Sequence, residues 1–191
     1  QGAKVVKCDY AYRAISHESI DFSVNPVEIH LDVTKKFQVF EVVDSIVEKL
    51  GKLDVVVNLA GILRSKPYLE VTEEEWDQMF AINLKGQFFV TQAAMRHMIK
   101  NKCGVFVNMA SISGKVGGVM AAVDYSASKA GVICMTKSLA KYGAQYGIRA
   151  NSIAPSGTET SMIDTYRKAW GEEYVKNIGD GAPLGRYAEP E

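Results

Sequence analysis

A tyrosine and a lysine stand four residues apart in the stretch DYSASKAG at 124–131. On a helix, residues i and i+4 share one face, so Tyr125 and Lys129 would lie side by side. A free tyrosine, with a pKa of about 10, is a poor base at neutral pH, but a neighbouring ammonium lowers that pKa. Such a pair could exchange a proton with a carbonyl or alcohol oxygen. The spacing alone also fits an ordinary polar helix start.

Two further polar residues stand where they could assist this chemistry. Ser111 follows the apolar run VFVNMA, and a hydroxyl at the carboxyl end of a strand can hydrogen-bond an oxyanion. A turn or capping serine is the plain alternative. Asn83 lies on the apolar stripe of a long helical segment, where an amide needs a polar partner. A buried amide satisfied by neighbouring backbone would explain it equally well.

Three places in the sequence could contact a nucleotide. Asp9 ends the first apolar run, where an acid can bind a ribose diol, although an isolated aspartate is more often a turn residue. Asp32 could cap a helix or meet an adenine edge. The run ending in Asn58-Leu59-Ala60-Gly61 has small residues that let a backbone approach a ligand or simply leave a strand.

These residues are distributed over alternating short apolar runs and longer segments of helical period. The apolar runs read as five strands, at 3–9, 27–33, 53–60, 104–110 and 149–155. Their alternation with helices predicts an α/β fold, a doubly wound parallel sheet with helices on both faces. We expect one domain over 1–191, in which residues 156–191 form a lid or substrate loop beyond the last strand.

Composition excludes several other classes of protein. The chain of 191 residues carries 22 basic and 22 acidic side chains, which argues against nucleic-acid or anionic-membrane partners. No apolar run is long enough to span a bilayer. Three cysteines and three histidines are scattered without metal-ligand spacing, so no metal site is predicted. The cysteines are interpreted as reduced thiols packed as small hydrophobes, typical of a cytoplasmic protein.

Taken together, these motifs resemble the short-chain dehydrogenase/reductase family through essentially the whole chain, with similarity to its 3-oxoacyl-ACP reductases and sugar-alcohol dehydrogenases. NLAG at 58–61 is similar to the family's Asn-Asn-Ala-Gly turn, and NLKG at 83–86 matches its catalytic asparagine segment. Ser111, Tyr125 and Lys129 match its serine, tyrosine and lysine. NSIAPSGTETSM at 151–162 resembles the segment around the nicotinamide, with Ser156 in place of a glycine. PLGRYAEPE resembles the stretch before a later helix.

The resemblance implies a role for each matched residue. Tyr125 is the general acid/base, Lys129 lowers its pKa and holds the nicotinamide ribose, Ser111 orients the substrate oxygen, and Asn83 holds a relay water. Asp9 favours NAD over NADP, because a carboxylate repels a 2′-phosphate. Further cofactor contacts are expected at Asp32, Val33, Asn58, Ala60, Gly61, Tyr125, Pro155, Thr158 and Thr160. Substrate contacts are expected at Ser111, Ser113, Met120, Tyr125 and Met162, with Tyr166, Trp170 and Tyr174 lining or covering the pocket.

One family motif, the glycine-rich turn Thr-Gly-x-x-x-Gly-x-Gly that cradles a pyrophosphate, has no counterpart in the sequence. In a strand order of 3-2-1-4-5-6, the strand before that turn is central. We therefore expect the sequence to be an interior portion of a longer polypeptide, and on its own to bind dinucleotide poorly.

The resemblance predicts an NAD(P)(H)-dependent oxidoreductase that interconverts a secondary alcohol and a ketone. The alternative is a catalytically inactive binding or scaffolding protein on the same fold. The substrate is expected to be a small carbonyl or alcohol compound, and the protein a cytoplasmic homotetramer or homodimer.

Overall fold

The computed structural model describes residues 2–13, 20–118 and 121–190, and from residue 27 onward the predicted alternation of strands and helices is confirmed. The strands are β1 (Val6–Asp9), β2 (Val27–His30), β3 (Val55–Asn58), β4 (Gly104–Met109) and β5 (Ile148–Ile153). The helices are α1 (Lys36–Leu50), α2 (Glu73–Phe80), α3 (Gln87–Asn101), α4 (Ser113–Val116), α5 (Val123–Gly143), α6 (Ile163–Trp170) and α7 (Glu172–Asp180).

The described strands form two sheets rather than one. β1 pairs with β2 in parallel, and β3 pairs with β4 in parallel, with β5 on the far side of β4. The parallel pairing confirms the α/β class. On β3, Val55 and Val57 are about half exposed, at 52% and 53%, so this strand is not covered on both faces as its apolar sequence predicted.

Local sequence explains where the helices begin and end. α1 buries Val39, Val42, Val43 and Ile46 on one face and stops at Gly51, whose φ of 80° a residue with a side chain rarely adopts. α2 begins at Thr72 with a capping box, in which Thr72 Oγ1 accepts from the Glu75 backbone and Glu75 Oε2 accepts from the Thr72 backbone. The predicted long helix is interrupted between α2 and α3 by a π-helical turn, Ala81–Gly86.

The chain divides into two compact units. The first comprises Gln1–Ala60, Lys85–Asn108 and Thr136–Asn151; the second comprises Gly61–Leu84, Met109–Met135 and Ser152–Glu191. The core of the first unit joins β2, α1 and α3 with Phe106 of β4 and Ile148 of β5. The second has a smaller core around Met79, Ala121 and Tyr125. The prediction of a single domain stays a prediction.

Outside the site, the structure bears on the cysteines, on metal ligands, on membrane helices and on residues 156–191. Cys8, Cys103 and Cys134 are free but all exposed, so their interpretation as packed hydrophobes was wrong. In the part of the chain that the structure describes, no three His, Cys, Asp or Glu side chains are grouped to hold a metal ion, and no helix combines the length and apolarity needed to cross a membrane. Residues 156–191 carry α6 and α7, two helices that the sequence did not predict.

Candidate functional site

Tyr125 and Lys129 lie side by side in the second unit, on the first two turns of α5. Both are buried, with 7% and 4% of their surface exposed, and Lys129 Nζ lies 5.7 Å from the centroid of the Tyr125 ring. Lys129 Nζ donates to the backbone carbonyl of Met109 at 2.9 Å. The i, i+4 spacing therefore produces the neighbouring phenol and amine that the sequence suggested.

The pKa of Tyr125 departs from the expected direction. Burial of the phenol raises its pKa above the ordinary value, and a hydrogen bond with the Ser111 side chain opposes this rise without reversing it. The spacing predicted a lowered pKa, because it supplied a neighbouring cation but said nothing about the burial of the ring. In this arrangement the neutral phenol is favoured, as a proton donor requires.

Ser111 follows β4 and is held by backbone contacts on both sides. The Ala110 N–H donates to the Ile153 carbonyl at 2.8 Å, and the Ile112 N–H donates to the Pro155 carbonyl at 2.9 Å. The Ser111 hydroxyl also accepts from the Ser113 backbone at 3.2 Å, at the start of α4. Ser111 is thus buried and fixed beside Tyr125, whereas the predicted contact of Ser113 with substrate stays a prediction.

Asn83 lies in the π-helical turn and is fully buried. Its Oδ1 accepts from the Ile62 backbone at 2.8 Å, and its Nδ2 donates to the Ile62 carbonyl at 2.9 Å and to Ser128 Oγ at 3.2 Å. Ser128 Oγ in turn donates to the Tyr125 carbonyl at 2.7 Å. The Asn83 amide therefore ties residue 62 to the helix that carries Tyr125, and its role with a relay water stays a prediction.

Gly61 makes a close approach to this cluster. A Cβ placed on Gly61 would lie 3.3 Å from Asn83 Oδ1 and 3.5 Å from Lys129 Nζ, tighter than or at the limit of ordinary contact. The absence of a side chain at Gly61 keeps the space beside the Lys129 amine open.

The segment expected at the nicotinamide also belongs to the second unit. It is held by the end of the chain: the Glu159 N–H donates to the Ala188 carbonyl at 2.8 Å, and the Ala188 N–H donates to the Gly157 carbonyl at 3.0 Å. Pro155 and Thr158 are half-buried, Thr160 is exposed, and Met162, 39% exposed, precedes α6. Their predicted contacts stay predictions, and the predicted substrate residue Met120 lies outside the described residues.

An aromatic residue of α6 packs onto the same cluster. Tyr166 contacts the small core formed by Met79, Ala121 and Tyr125. Burial raises the pKa of the Tyr166 phenol, and the nearby Tyr125 and Tyr187 phenols raise it further. Tyr166 is therefore a neutral, largely apolar neighbour of Tyr125.

The remaining predicted cofactor residues belong to the first unit. Asp9 ends β1 exposed to solvent, and its Oδ1 accepts from the Ala11 backbone at 2.9 Å. Asp32 is used locally, since its Oδ1 accepts from the backbone and hydroxyl of Thr34 at 2.9 and 2.7 Å in the turn before α1. Val33 is half-buried in that turn.

Of the two remaining predicted cofactor residues, Asn58 has a structural hydrogen-bond partner and Ala60 is exposed. Asn58 is buried, and its Nδ2 donates to Asn108 Oδ1 at 2.8 Å. Asn108 Nδ2 then donates to Thr136 Oγ1 at 2.9 Å, which completes a buried polar chain. Ala60 is exposed after β3. The Asn58 side chain therefore has a structural partner, and its contact with a cofactor stays a prediction.

Sequence reasoning missed Arg64, Asp124 and Ser128. Asp124 is fully buried and paired with Arg64, whose Nη1 lies 3.3 Å from Asp124 Oδ2. The sequence contained one indication of this pair, the acidic residue within DYSASK. An acid that is buried there needs a cation as partner, and the sequence does not show which cation the fold brings to it. Ser128 belongs to the quoted motif but has no spacing signal of its own.

The burial of Lys129 predicts a stability that depends on pH. Desolvation lowers the pKa of its ammonium to about 8, compared with about 10.4 in an unfolded chain. Below pH 8, Lys129 is protonated in both the folded and the unfolded chain, and its burial lowers the free energy of unfolding. This loss disappears as pH rises through 10.4, where the amine becomes neutral in both states. Relative to Lys129→Met, the wild type should gain roughly 2–3 kcal/mol of unfolding free energy between pH 7 and 10, measured by urea denaturation.

Lys137→Met is the matched control for this measurement, because it removes an exposed ammonium from the same helix. The wild type and Lys137→Met both keep Lys129, so both should show the pH-dependent gain that Lys129→Met lacks. A pH-independent difference for Lys129→Met would show that the buried amine is not desolvated as described.

Comparisons with known proteins give a consistent result. Residues 1–170 match the family model described as short chain dehydrogenase. The chain is 40% identical over 199 residues to the 3-oxoacyl-[acyl-carrier-protein] reductase FabG of Thermotoga maritima, covering all of this chain and 77% of that protein. It is 32% identical over 192 residues to the meso-2,3-butanediol dehydrogenase of Serratia marcescens, covering all of this chain and 74% of the relative.

Solved structures are also similar. The crystal structure of gox2181 superposes with a TM-score of 0.79 at 35% identity, over 85% of this chain and 63% of that one. The structure of ElxO with NADP bound gives a TM-score of 0.76 at 33% identity, over 85% of this chain and 66% of that one. The aligned region thus spans somewhat less than two thirds of these two solved chains.

Proposed function

Because this chain belongs to the short-chain dehydrogenase family, we propose that it is an NAD(P)(H)-dependent oxidoreductase that interconverts a secondary alcohol and a ketone. The observation that carries the proposal is the buried cluster of Ser111, Tyr125 and Lys129, in which a phenol lies between a hydroxyl and an amine. A proton donor, a second hydrogen-bond donor and a nearby cation are what a protein has to supply to a carbonyl that is reduced by hydride from a cofactor.

In the proposed mechanism, the Tyr125 phenol donates its proton to the carbonyl oxygen as that oxygen becomes an alkoxide, and accepts it in the reverse direction. The Ser111 hydroxyl donates a hydrogen bond to the same oxygen and holds it within reach of the phenol. The Lys129 ammonium stabilises the phenolate that remains after the transfer. A bound nicotinamide cofactor supplies or accepts the hydride.

The residues present fit such a cofactor. The Lys129 ammonium has three N–H donors, of which the Met109 carbonyl takes one, so it can also bind ribose hydroxyls. Gly61 leaves space beside that amine. In the first unit, considered by itself, the exposed carboxylate of Asp9 can accept from a ribose diol. We infer a preference for NAD from Asp9, although ElxO, a similar structure, was solved with NADP bound. Thr158 and Thr160 would hold the carboxamide.

The substrate class follows from the surroundings of Tyr125. Tyr166 packs an aromatic ring against the cluster that contains Tyr125, which suits a ketone with an apolar flank, and Met162 is proposed to add a thioether to the same pocket. Of the two relatives, one is named for a 3-oxoacyl group on acyl-carrier protein and the other for meso-2,3-butanediol. We propose a 3-oxoacyl thioester, a steroid or a sugar-derived ketone, acted on by a cytoplasmic homotetramer or homodimer.

Cofactor titration and a substrate screen test the proposal together. NADH and NADPH are titrated separately into the full natural polypeptide by fluorescence, and carbonyl compounds of these three kinds are then screened by loss of NADH absorbance. We expect NADH to bind at least ten times more tightly than NADPH and one class to be turned over. Tighter NADPH binding would reverse the inferred preference. Failure of both cofactors to bind at millimolar concentration would favour an inactive scaffold on the same fold.

A further inference from the structure

The carboxylate of Asp124 is completely buried in the first turn of α5, one residue before Tyr125. Its Oδ1 accepts from the Tyr125 backbone N–H at 2.9 Å, and its Oδ2 lies 3.3 Å from Arg64 Nη1. A carboxylate without water is strongly unfavourable unless a cation or several donors satisfy it. Arg64 supplies that cation, so the start of α5 depends on a residue outside the helix.

Arg64 also contacts residues outside α5. Its Nη1 donates to the Glu75 carbonyl of α2 at 2.8 Å, and its Nη2 contacts Gln78 Oε1. Its own backbone carbonyl accepts from the Ala122 N–H at 3.0 Å, just before α5. Side chain and backbone of Arg64 therefore both reach the beginning of α5, while the planar guanidinium also binds α2.

The same loop is fixed two residues earlier, where the Asn83 amide binds both backbone groups of Ile62. Residues 62–64 thus connect α2 and the π-helical turn with the first turns of α5. A displacement of this connection would move the backbone that places the phenol beside Ser111.

We propose that Arg64 is a positioning residue for Tyr125: by binding Asp124, the Glu75 carbonyl and Gln78, it fixes the first turn of α5 and keeps the phenol beside Ser111. This inference rests on the proposed function, because misplacement of the phenol matters most if Tyr125 transfers a proton. The Arg64 guanidinium contacts Asp124 on α5 and Glu75 and Gln78 on α2, and a lysine ammonium could form only some of these contacts.

The test compares Arg64→Met with Lys66→Met. Lys66 belongs to the same loop and pairs with Glu75 at 2.8 Å, so its loss removes an ion pair to α2 without touching Asp124. Arg64→Met should lower kcat at least tenfold with the NADH dissociation constant within twofold of wild type. Lys66→Met should leave kcat within twofold, and Arg64→Lys should recover part of the loss. An unchanged kcat in Arg64→Met would overturn the proposal.

A double variant separates positioning from charge compensation. Arg64→Met leaves a buried carboxylate unpaired, and Asp124→Asn removes that charge while keeping the acceptor for the Tyr125 backbone. Arg64→Met/Asp124→Asn should recover resistance to urea but keep a low kcat. Recovery of kcat together with stability would show that Arg64 only neutralises Asp124, and would overturn the positioning role.

A second readout does not depend on turnover. The phenol of Tyr125 can be titrated by ultraviolet difference spectroscopy between each protein and its Tyr125→Phe counterpart. In Arg64→Met the midpoint should move from its raised value towards the ordinary one of about 10, because a displaced phenol is less buried. If the wild type turns over no substrate, the proposed function fails, while this midpoint still decides whether Arg64 places Tyr125.

Discussion

Replacement of Tyr125 by phenylalanine should reduce turnover by at least about a thousandfold and leave the NADH dissociation constant within twofold. The ring remains to fill its buried position, whereas the proposed proton donor is lost, and positioned acid–base groups contribute roughly 10² to 10⁴ in rate. Loss of the hydrogen bond with Ser111 should cost only about 1 kcal/mol of unfolding free energy. Initial rates of NADH oxidation and urea denaturation measure the two effects separately.

Tyr166→Phe is the matched control, because Tyr166 packs against the same small core and also carries a buried phenol. It should keep more than a tenth of the wild-type turnover. If Tyr125→Phe and Tyr166→Phe lowered turnover equally, Tyr125 would not be the proton donor. If Tyr125→Phe retained full activity, the proposed mechanism would be wrong.

The helices and strands were predictable wherever the pattern of apolar residues is local. The valines and isoleucine of α1 repeat with helical period up to Gly51, and Thr72 with Glu75 forms the capping box that its sequence indicates. In the sequence, Gly86 indicates only a close approach or a kink, and it does not fix the form of the interruption after Phe80. Its form, a π-helical turn that holds Asn83 against Ile62, depends on the loop that Asn83 binds.

The candidate site was predictable to the extent that its residues follow one another along the chain. Tyr125, Lys129 and Ser111 are linked by one strand and one helix, and the structure brings them together. The spacing could not reveal the burial that raises the pKa of Tyr125 and lowers that of Lys129. Nor could it reveal that Arg64 meets Asp124, since 60 positions separate the two and only the tertiary fold joins them.

Substitution of Gly114 by alanine should damage both stability and turnover, although it adds a single methyl group. Gly114 lies in α4, where alanine would by itself favour a helix by about 1 kcal/mol. Its Cβ, however, would lie 2.6 Å from the Lys129 carbonyl carbon and 2.7 Å from the Ala130 nitrogen. These are backbone atoms that cannot rotate away, so the overlap outweighs the propensity.

We expect Gly114→Ala to lower the unfolding free energy by about 2 kcal/mol, within the usual range for overpacking, and to lower kcat at least a hundredfold. The loss of kcat follows because relief of the overlap must move the backbone of Lys129 and with it the amine beside Tyr125. Urea denaturation and turnover at equal folded fraction measure the two quantities.

Gly118→Ala is the control, because its Cβ would meet nothing closer than Ser113 Oγ at 3.5 Å, an ordinary contact. Outside a helix, this change restricts the unfolded chain and should alter stability by no more than about 1 kcal/mol, with kcat nearly unchanged. If Gly114→Ala behaved like Gly118→Ala, α4 and α5 could separate without moving Lys129. The close approach of their backbones would then not be what holds the amine in place.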